Sequence, residues 1–432
     1  MMDRLIGQSI PRVDALDKVI GRTAYPGDLS MSGALHMKVL FARRPHARIK
    51  RIDTSHALAH PGVVAVLTAD DVPVNEYGLM EPDQPALCGD VVRFVGDKVA
   101  LIIGETVRAA TEGRDLLKVE YEDLPALTDP RRALDDDAPL VHAEKGSNLL
   151  ASYRIRKGDI KAGFAQADVI VEAEYQTPYQ EHAYLQPEAG LAYIDDEGRV
   201  VIETAGQWSH DDRHQIAHAL QLPEDQVRVV YKYAGGAFGG REDISVQIVL
   251  ALAAWKLRQP VKIVWSREES IIGHHKRHPY IIRARWGANR DGKLTAIQMD
   301  LLGDAGACAS SSRAVLANAT VMCSGPYECE NIHVDSRAVY TNNVPCGAFR
   351  GFGSVQAEFA AEMQMHKLAE KLGMDPVEFR MRNIYRHDSI QATNVPLPQP
   401  VGAVKVLDAA ARAVGWTDDG GFWKRGTIDF GF

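Results

Sequence analysis

The residues best suited to chemistry lie in two glycine-rich loops, each between a predicted strand and a predicted helix. Residues 235–242 read GGAFGGRE, and residues 345–353 read PCGAFRGFG. A glycine-rich turn that leads into a helix exposes backbone N–H groups beside the positive end of the helix dipole, and such groups bind anionic or oxygen-rich ligands. Glycine also lets the backbone approach the ligand closely. The two loops therefore predict two binding segments for an anionic ligand.

Nucleotide-binding patterns do not account for these loops. Neither loop contains the GxxxxGK[ST] sequence of a P-loop, and neither has the GxGxxG spacing of a dinucleotide-binding turn. An aromatic residue and an arginine accompany the glycines in both loops, which favours binding over tight turns that serve packing alone. The packing interpretation stays open for each loop.

Hydrophobic spacing predicts a strand before each loop and a helix after it. Residues 227–233 and 334–341 are typical of half-buried strands. Apolar residues then recur at helical spacing in two sets: Ile244, Ile248, Leu252 and Trp255, and later Val355, Phe359, Met363, Leu368 and Leu372. Gly373 suits the end of the second helix, and Asp375 with Pro376 suits the start of another, in which Glu378 could complete a capping box.

The amino-terminal part has the pattern of a separate α/β domain. Residues 93–121 read as strand, helix and strand, and the polar run 129–139, with aspartates at 135–137, is the candidate linker. We therefore expect an α+β protein with a first domain at 1–130 and a second at 145–432.

Composition excludes several classes of protein. The 432 residues are 46% hydrophobic, enough for large cores, and a formal net charge of −8 argues against nucleic-acid binding. The first seven residues lack the apolar region of a secretory signal, and the apolar stretch 244–257 is too short to span a membrane. We expect a cytoplasmic protein without a membrane or nucleic-acid partner.

The cysteines indicate that any electron-transfer centre lies on another chain. No two of them have CxxC spacing: Cys88, Cys308, Cys323, Cys329 and Cys346. This pattern argues against a disulfide framework, structural zinc and an iron–sulfur cluster on this chain.

Taken together, the motifs resemble those of the xanthine dehydrogenase and aldehyde oxidase family. GGAFGGRE is similar to the family's GGGFGGKE loop, and AFRGFG at 348–353 is similar to its second cofactor loop, in the same order. Residues 92–97, VRFVGD, and 119–125, VEYEDLP, resemble the family's hammerhead domain. The resemblance covers nearly the whole chain. It implies a hammerhead domain at 1–130, followed by the first molybdopterin-binding domain at 145–432.

The resemblance implies a cofactor, molybdenum bound to molybdopterin, and assigns residues to it. Gln207 stands where the family has a glutamine before the first loop, and it would lie near the apical molybdenum ligand without being a ligand itself. Gly236, Phe238, Gly239 and Arg350 would contact the cofactor. The resemblance leaves open whether this is plain molybdopterin or its cytosine dinucleotide.

The resemblance also implies hydroxylation of an N-heteroaromatic or aldehyde substrate, with water as the oxygen source. Glu242 would orient the substrate, and Phe349 and Phe352 would lie beside its ring. Asn318 replaces an arginine of purine-oxidising members, and Arg313 is out of register, which weakens a purine assignment. Carbon monoxide dehydrogenases have AYRC where this chain has AFRG. Substrate, electron acceptor and the sulfido or selenido ligand are left open.

The family's catalytic base, a glutamate in a GxGE-type segment, is absent from this chain. The chain ends at Phe432, after a stretch at 423–428 that resembles the family's internal junction. We expect a second molybdopterin-binding subunit to supply the glutamate, as in nicotinate dehydrogenase-type enzymes, with [2Fe–2S] and FAD on further subunits. A non-catalytic molybdopterin-binding or maturation protein, an inactive fragment and a general phosphate-ligand binder are the alternatives.

Three other groups of residues attract a functional interpretation that we consider weaker. His210, His214 and His218 share a helical face, but no HExxH pattern or ligand carboxylate accompanies them, so a solvated face is expected. The basic run 274–278, HHKRH, is expected to be a surface or interface loop, with a phosphate contact as the alternative. Glu188 is expected to be structural.

Overall fold

Strands and helices alternate along most of the chain, which a computed structural model describes for residues 6–420 and 422–426. The strands are β1 (Leu35–Phe41), β2 (Ala47–Asp53), β3 (Val63–Leu67), β4 (Val91–Val92), β5 (Lys98–Gly104), β6 (Lys118–Asp123), β7 (Leu149–Lys157), β8 (Val169–Thr177), β9 (Ala189–Ile194), β10 (Val200–Thr204), β11 (Val227–Tyr231), β12 (Val261–Val264), β13 (Tyr280–Ala288), β14 (Leu294–Gly306), β15 (Ile332–Tyr340), β16 (Trp416–Asp418) and β17 (Trp423–Arg425). The α-helices are α1 (Ala15–Val19), α2 (Ser55–Leu58), α3 (Val107–Leu116), α4 (Ile160–Ala165), α5 (Ser209–Leu220), α6 (Gln247–Leu257), α7 (Arg267–Gly273), α8 (Ser312–Met322), α9 (Ser354–Leu372), α10 (Pro376–Asn383) and α11 (Ala403–Ala413). The first five residues, and Thr427 and Ile428 of the predicted junction, lie outside the described residues.

The chain forms two compact units that are interleaved in sequence. Unit 1 comprises Met1–Asp123 and Ala183–His274, and unit 2 comprises Leu124–His182 and His275–Phe432. The predicted domains at 1–130 and 145–432 follow sequence order, and that division stays a prediction. Residues 129–139, expected to be a linker, belong to unit 2, where Leu127 and Ala133 on either side of the run's start lie in the hydrophobic core.

Unit 1 contains a seven-stranded sheet in the order β11-β10-β9-β12-β1-β5-β3 and a three-stranded sheet, β4-β2-β6. Parallel pairing of β1 with β12 joins the amino-terminal strands to those from the later segment. Helix α6 packs against β9 and β10, and residues 247–254 of that helix are all buried. The first glycine-rich loop therefore lies between β11 and a helix that is held inside the core.

Unit 2 contains a five-stranded sheet in the order β7-β15-β14-β13-β8, together with the β16-β17 pair. Helix α9 packs against β13 and β8 through a face rich in alanine, and helix α8 packs against both α9 and β7. The second glycine-rich loop connects β15 to α9, so both of its ends are anchored in this core.

The sequence predicted most of these elements but not every buried face. The strands before both loops, the helix after residue 105 and the left-handed cap at Gly373 are confirmed. The interpretation of the α9 face was only partly right, because Leu368 is buried and Met363 and Leu372 pack against the core. Val355 and Phe359, by contrast, are exposed, and small residues pack inward. The capping box was wrong. Asp375 accepts from the N–H groups of Val377 and Glu378, but the Glu378 carboxylate pairs with Arg382.

Within the described residues, no helix is both long enough and apolar enough to cross a membrane.

Candidate functional site

The first loop, at residues 235–242, has a backbone that only its glycines adopt without strain. Gly236 and Gly239 have φ values of 108° and 101°, and Phe238 between them has a φ of 51°. An aromatic residue in the left-handed region is strained and persists only where the surrounding structure fixes it. The Phe238 side chain is 48% exposed, so packing does not explain why it is held there. This combination is typical of a ligand-binding loop.

Residues 184–186 of the same unit hold this loop in place. The Gly235 N–H donates to Gln186 Oε1 at 2.8 Å, and a Cβ on Gly235 or Gly236 would lie within 2.7 Å of the Cβ of Gln186 or Tyr184, respectively. Both glycines are therefore needed for a close approach of two backbone segments. The local sequence of residues 184–186 does not indicate this support, because only the fold brings the segment to the loop.

Arg241 joins the loop to that support. Its Nη2 donates to the Gln186 carbonyl oxygen at 2.6 Å, and its guanidinium lies 4.0 Å from the centre of the Tyr184 ring. The side chain is buried, yet Arg241 Nε and Gln186 Nε2 have no hydrogen-bond partner in the part of the chain that the structure describes. Buried donors of this kind are normally satisfied by protein, ordered water or a bound ligand, so both can donate to an acceptor that binds here.

Glu242 lies directly after these donors and is itself buried. Its Oε2 has no hydrogen-bond partner among residues 6–420 and 422–426. Burial, with a smaller contribution from the neighbouring Asp243 carboxylate, raises the pKa of Glu242 to about 7. Glu242 can therefore carry or release a proton near neutral pH.

Gln207 lies in unit 1 between β10 and α5, with its side chain exposed. Gly206 beside it packs on Tyr231, because a Cβ there would lie 2.3 Å from the tyrosine hydroxyl. The structure thus places Gln207, Gly236, Phe238, Gly239 and Glu242 in the same unit.

The second loop, at residues 345–353, repeats the backbone of the first. Gly351 and Gly353 have φ values of 97° and 95°, and Phe352 between them has a φ of 48°. A Cβ on Gly353 would lie 2.3 Å from the Val315 carbonyl oxygen in α8, so only glycine fits there. Arg350 is exposed. As in the first loop, an aromatic residue is held in the left-handed region between two glycines.

Phe349 is covered on both faces of its ring. His182 stacks on it with a centroid separation of 4.3 Å, and the Arg277 guanidinium lies 3.9 Å from its centre. Two planar groups do not fit at these distances on one face, so the ring is held between them. Phe352 is free of such stacking among the described residues. The role of Phe349 in substrate binding stays a prediction that this packing does not favour.

The expectation of a surface or interface loop at 274–278 was wrong, because all five side chains are buried within this chain. Two of these residues in unit 2, Lys276 and Arg277, support the second loop. Arg277 donates to the Arg350 carbonyl oxygen at 2.9 Å and to Gln180 Oε1 at 2.8 Å, and Lys276 pairs with Glu181 at 2.5 Å. Charge in a sequence indicates exposure unless the fold supplies partners, and here the 180–181 segment does so.

One further donor in unit 2 binds this loop, and one donor of Arg277 is left unpaired beside it among the described residues. Asn318 Nδ2 donates to the Phe352 carbonyl oxygen at 2.8 Å, so the side chain at this position fixes the loop. Arg277 Nη1 is buried and has no partner within the described ranges. The second loop therefore also lies beside an unsatisfied cationic donor.

The remaining candidates lie apart from the loops. His210 and His214 are exposed on α5, and His214 pairs with Glu224 at 2.9 Å, as expected for a solvated face. Glu188 is fully buried and accepts a hydrogen bond from the Tyr184 hydroxyl. No group of three or more His, Cys, Asp or Glu side chains is arranged to hold a metal ion in the described part of the chain.

Comparison with known proteins identifies the two sequence regions. The family model described as a molybdopterin cofactor-binding domain matches residues 141–384. The model described as the aldehyde oxidase and xanthine dehydrogenase a/b hammerhead domain matches residues 20–125. The expected order of domains is therefore confirmed.

Individual relatives agree with these matches. The chain is 40% identical over 408 residues to the nicotinate dehydrogenase large molybdopterin subunit of Eubacterium barkeri, covering 94% of this chain and 96% of that protein. It is 37% identical to a probable xanthine dehydrogenase subunit of Bacillus subtilis, covering 93% of this chain and 54% of that protein. Its structure matches aldehyde oxidoreductase from Desulfovibrio gigas with a TM-score of 0.89 and 32% identity, covering 94% of this chain and 46% of that one. The chain thus spans about half the length of the last two proteins and nearly all of the first.

The matched loops, the buried donors beside them and these relatives agree: the chain belongs to the xanthine dehydrogenase and aldehyde oxidase family of molybdenum hydroxylases.

Proposed function

We propose that this chain is the molybdopterin-binding subunit of a multi-subunit hydroxylase that oxidises an N-heteroaromatic compound, nicotinate-like or purine-like, or an aldehyde. The observation that carries the proposal is the repeated loop, with Phe238 and Phe352 each held in the left-handed region between glycines. The relative from Eubacterium barkeri, a nicotinate dehydrogenase subunit, supports the heteroaromatic class. Asn318 stands where purine-oxidising members have an arginine, and its side chain donates to the second loop. It therefore supports a nicotinate-like substrate over a purine.

The residues present fit a molybdopterin group. Its phosphate and polar ring atoms need N–H donors, and each loop offers exposed backbone beside unsatisfied buried donors, namely Gln186 Nε2 and Arg241 Nε at the first loop and Arg277 Nη1 at the second. Gly236, Phe238 and Gly239 would hold the group through their backbone, and Arg350 would add a positive charge. Analysis of the isolated cofactor would show whether it is plain molybdopterin or the cytosine dinucleotide.

When bound, the molybdenum group supplies a site that activates water and accepts two electrons from the substrate carbon. Glu242 would bind the substrate through Oε2, accepting a hydrogen bond when ionised and donating one when protonated. Phe352 would lie along the substrate ring, since aromatic faces orient flat heterocycles. Gln207 would lie near the metal without ligating it.

The general base would come from a partner chain. Glu242 is assigned to substrate orientation. The glutamate that serves as the family's catalytic base lies in a GxGE-type segment that this sequence does not contain. We therefore place that glutamate on a second molybdopterin-binding subunit, with [2Fe–2S] and FAD subunits to remove electrons. The subunit names of two relatives support such an assembly. A cytoplasmic location is part of the proposal.

The test is metal and pterin analysis of the chain purified from its native host, together with whatever co-purifies. Molybdenum and pterin in about equal amounts with the chain, and a second chain carrying a GxGE-type segment, are the expected result. Pterin without turnover in any assembled complex would favour a carrier or maturation protein. A metal-free and pterin-free chain would overturn the proposal.

A further inference from the structure

Tyr231, at the end of β11, holds the segment that carries Gln207. Its ring fills the space beside Gly206, which has no room for a Cβ. On the other side of Gln207, the Trp208 carbonyl oxygen accepts a hydrogen bond from the Asp212 N–H at 2.9 Å. Tyr231 and Asp212 therefore contact the two neighbours of the predicted metal-proximal residue.

Hydrogen bonds connect the Tyr231 hydroxyl to the segment that follows Glu242. Tyr231 Oη donates to Asp212 Oδ2 at 2.7 Å, and Gln247 Nε2 donates to the same oxygen at 3.1 Å. Gln247 Oε1 accepts from the N–H groups of Ser245 and Val246, each at 2.9 Å. Asp212 is 1% exposed and Gln247 is 2% exposed, so water does not compete for these bonds.

We propose that Tyr231, Asp212 and Gln247 form a positioning network that ties the Gln207 segment to the Glu242 segment, so that the two move as one. Asp212 joins the two arms through a single oxygen, because Oδ2 accepts from both partners. We assign the network a positioning role, with no contact of its own to substrate or cofactor. Its role in the enzyme rests on the proposed function, whereas its mechanical coupling does not.

The coupling is tested by hydrogen exchange on the native complex, comparing the amides of 206–208 with those of 243–246. Tyr231→Phe keeps the ring but removes the hydroxyl, and Asp212→Ala removes the shared acceptor. Tyr231→Phe should raise exchange in both segments roughly fivefold, the effect of losing one buried hydrogen bond, and Asp212→Ala, which loses two, should raise it further. Asp212→Asn retains one oxygen that can accept both bonds, so it should keep exchange low if geometry rather than charge is what matters.

Tyr193→Phe is the matched control. Its hydroxyl donates to Glu203 at 3.3 Å in the same unit and bonds to neither segment, so its loss should leave their exchange unchanged. Increased exchange throughout unit 1 would show a general contribution to stability and overturn the coupling. Increased exchange in only one of the two segments of Tyr231→Phe would overturn it as well.

A second measurement connects the network to the cofactor. The paramagnetic resonance spectrum of the bound molybdenum should change in Tyr231→Phe and stay unchanged in Tyr193→Phe, at equal molybdenum content. An unchanged spectrum in both would overturn the positioning role. Absence of molybdenum from the wild-type complex would instead contradict the proposed function, and the exchange data would still decide whether the two segments are coupled.

Discussion

Phe238 and Phe352 adopt the same left-handed backbone conformation, with φ values of 51° and 48°, in loops more than a hundred residues apart. Each is followed by a glycine with φ near 100°, at Gly239 and Gly353. A bulky residue in this region costs about 1–2 kcal/mol. Because both loops carry the same strained residue, we infer that both serve the same purpose, which is to present backbone groups to a ligand.

Gly353→Ala should destabilise unit 2 and lower the pterin content of the complex. The new Cβ would lie 2.3 Å from the Val315 carbonyl oxygen, a backbone atom that cannot turn away. Added to the cost of a positive φ, this clash should lower the free energy of unfolding by about 3 kcal/mol. Urea unfolding and pterin analysis measure the two effects.

Gly373→Ala is the control for that substitution. Gly373 has a φ of 64°, and no atom lies within 4 Å of the position that a Cβ would occupy, so alanine there adds the conformational cost alone. We expect a loss of about 1 kcal/mol and an unchanged pterin content. Equal losses for both variants would mean that α8 does not restrict the second loop.

Arg277→Met should release the second loop. The variant keeps an apolar stem but loses the hydrogen bonds to Gln180 and Arg350 and the contact with the Phe349 ring. The pterin content of the complex should fall several-fold, and proteolysis at 345–353 should become faster. Arg285→Met removes an arginine that lies 4.2 Å from the Phe164 ring on the same unit, away from the loop, and should change neither result.

The sequence predicted the loops and the elements beside them, because glycine content and hydrophobic spacing are local properties. It could not predict that the basic run 274–278 is buried, since its partners Gln180 and Glu181 are brought there only by the fold. Nor could it predict the inward face of α9. The larger residues Val355 and Phe359 follow a helical period, yet alanines on another face allow α9 to approach the sheet closely.

Interleaving is the other feature that local patterns do not reveal. Strand β12 pairs with β1 across more than two hundred residues, and neither strand's composition indicates its partner. The support of the first loop by Tyr184 and Gln186 arises from the same return of the chain to unit 1. The sequence does show a polar residue, Gln186, between apolar neighbours, but only the folded structure shows that it binds the first loop.

Glu242→Ala should reduce the activity of the assembled complex far more than its molybdenum content. The carboxylate is assigned to the substrate, while the loop backbone holds the cofactor, so loss of orientation should lower kcat/KM roughly a hundredfold. Glu224→Ala, which removes an exposed glutamate of the same unit, should leave both quantities unchanged. If Glu242→Ala lost activity and molybdenum to the same extent, the assignment of Glu242 to the substrate would be wrong.

Glu242 should also make the stability of the chain decrease as pH rises. Its pKa is about 7 in the folded chain, above the ordinary value of 4.5, so the folded chain holds this proton more tightly than the unfolded chain does. Relative to Glu242→Gln, the wild-type free energy of unfolding should therefore fall between pH 4.5 and pH 7 by roughly 3 kcal/mol, and then level off. Asp97 and Asp212, whose pKa values are raised to about 6 by burial, titrate in both proteins and cancel in the difference. Urea unfolding of both proteins across this range measures it. A difference that grows with pH would show that Glu242 is stabilised as a carboxylate, and that its orphaned oxygen has a cationic or hydrogen-bonding partner in solution.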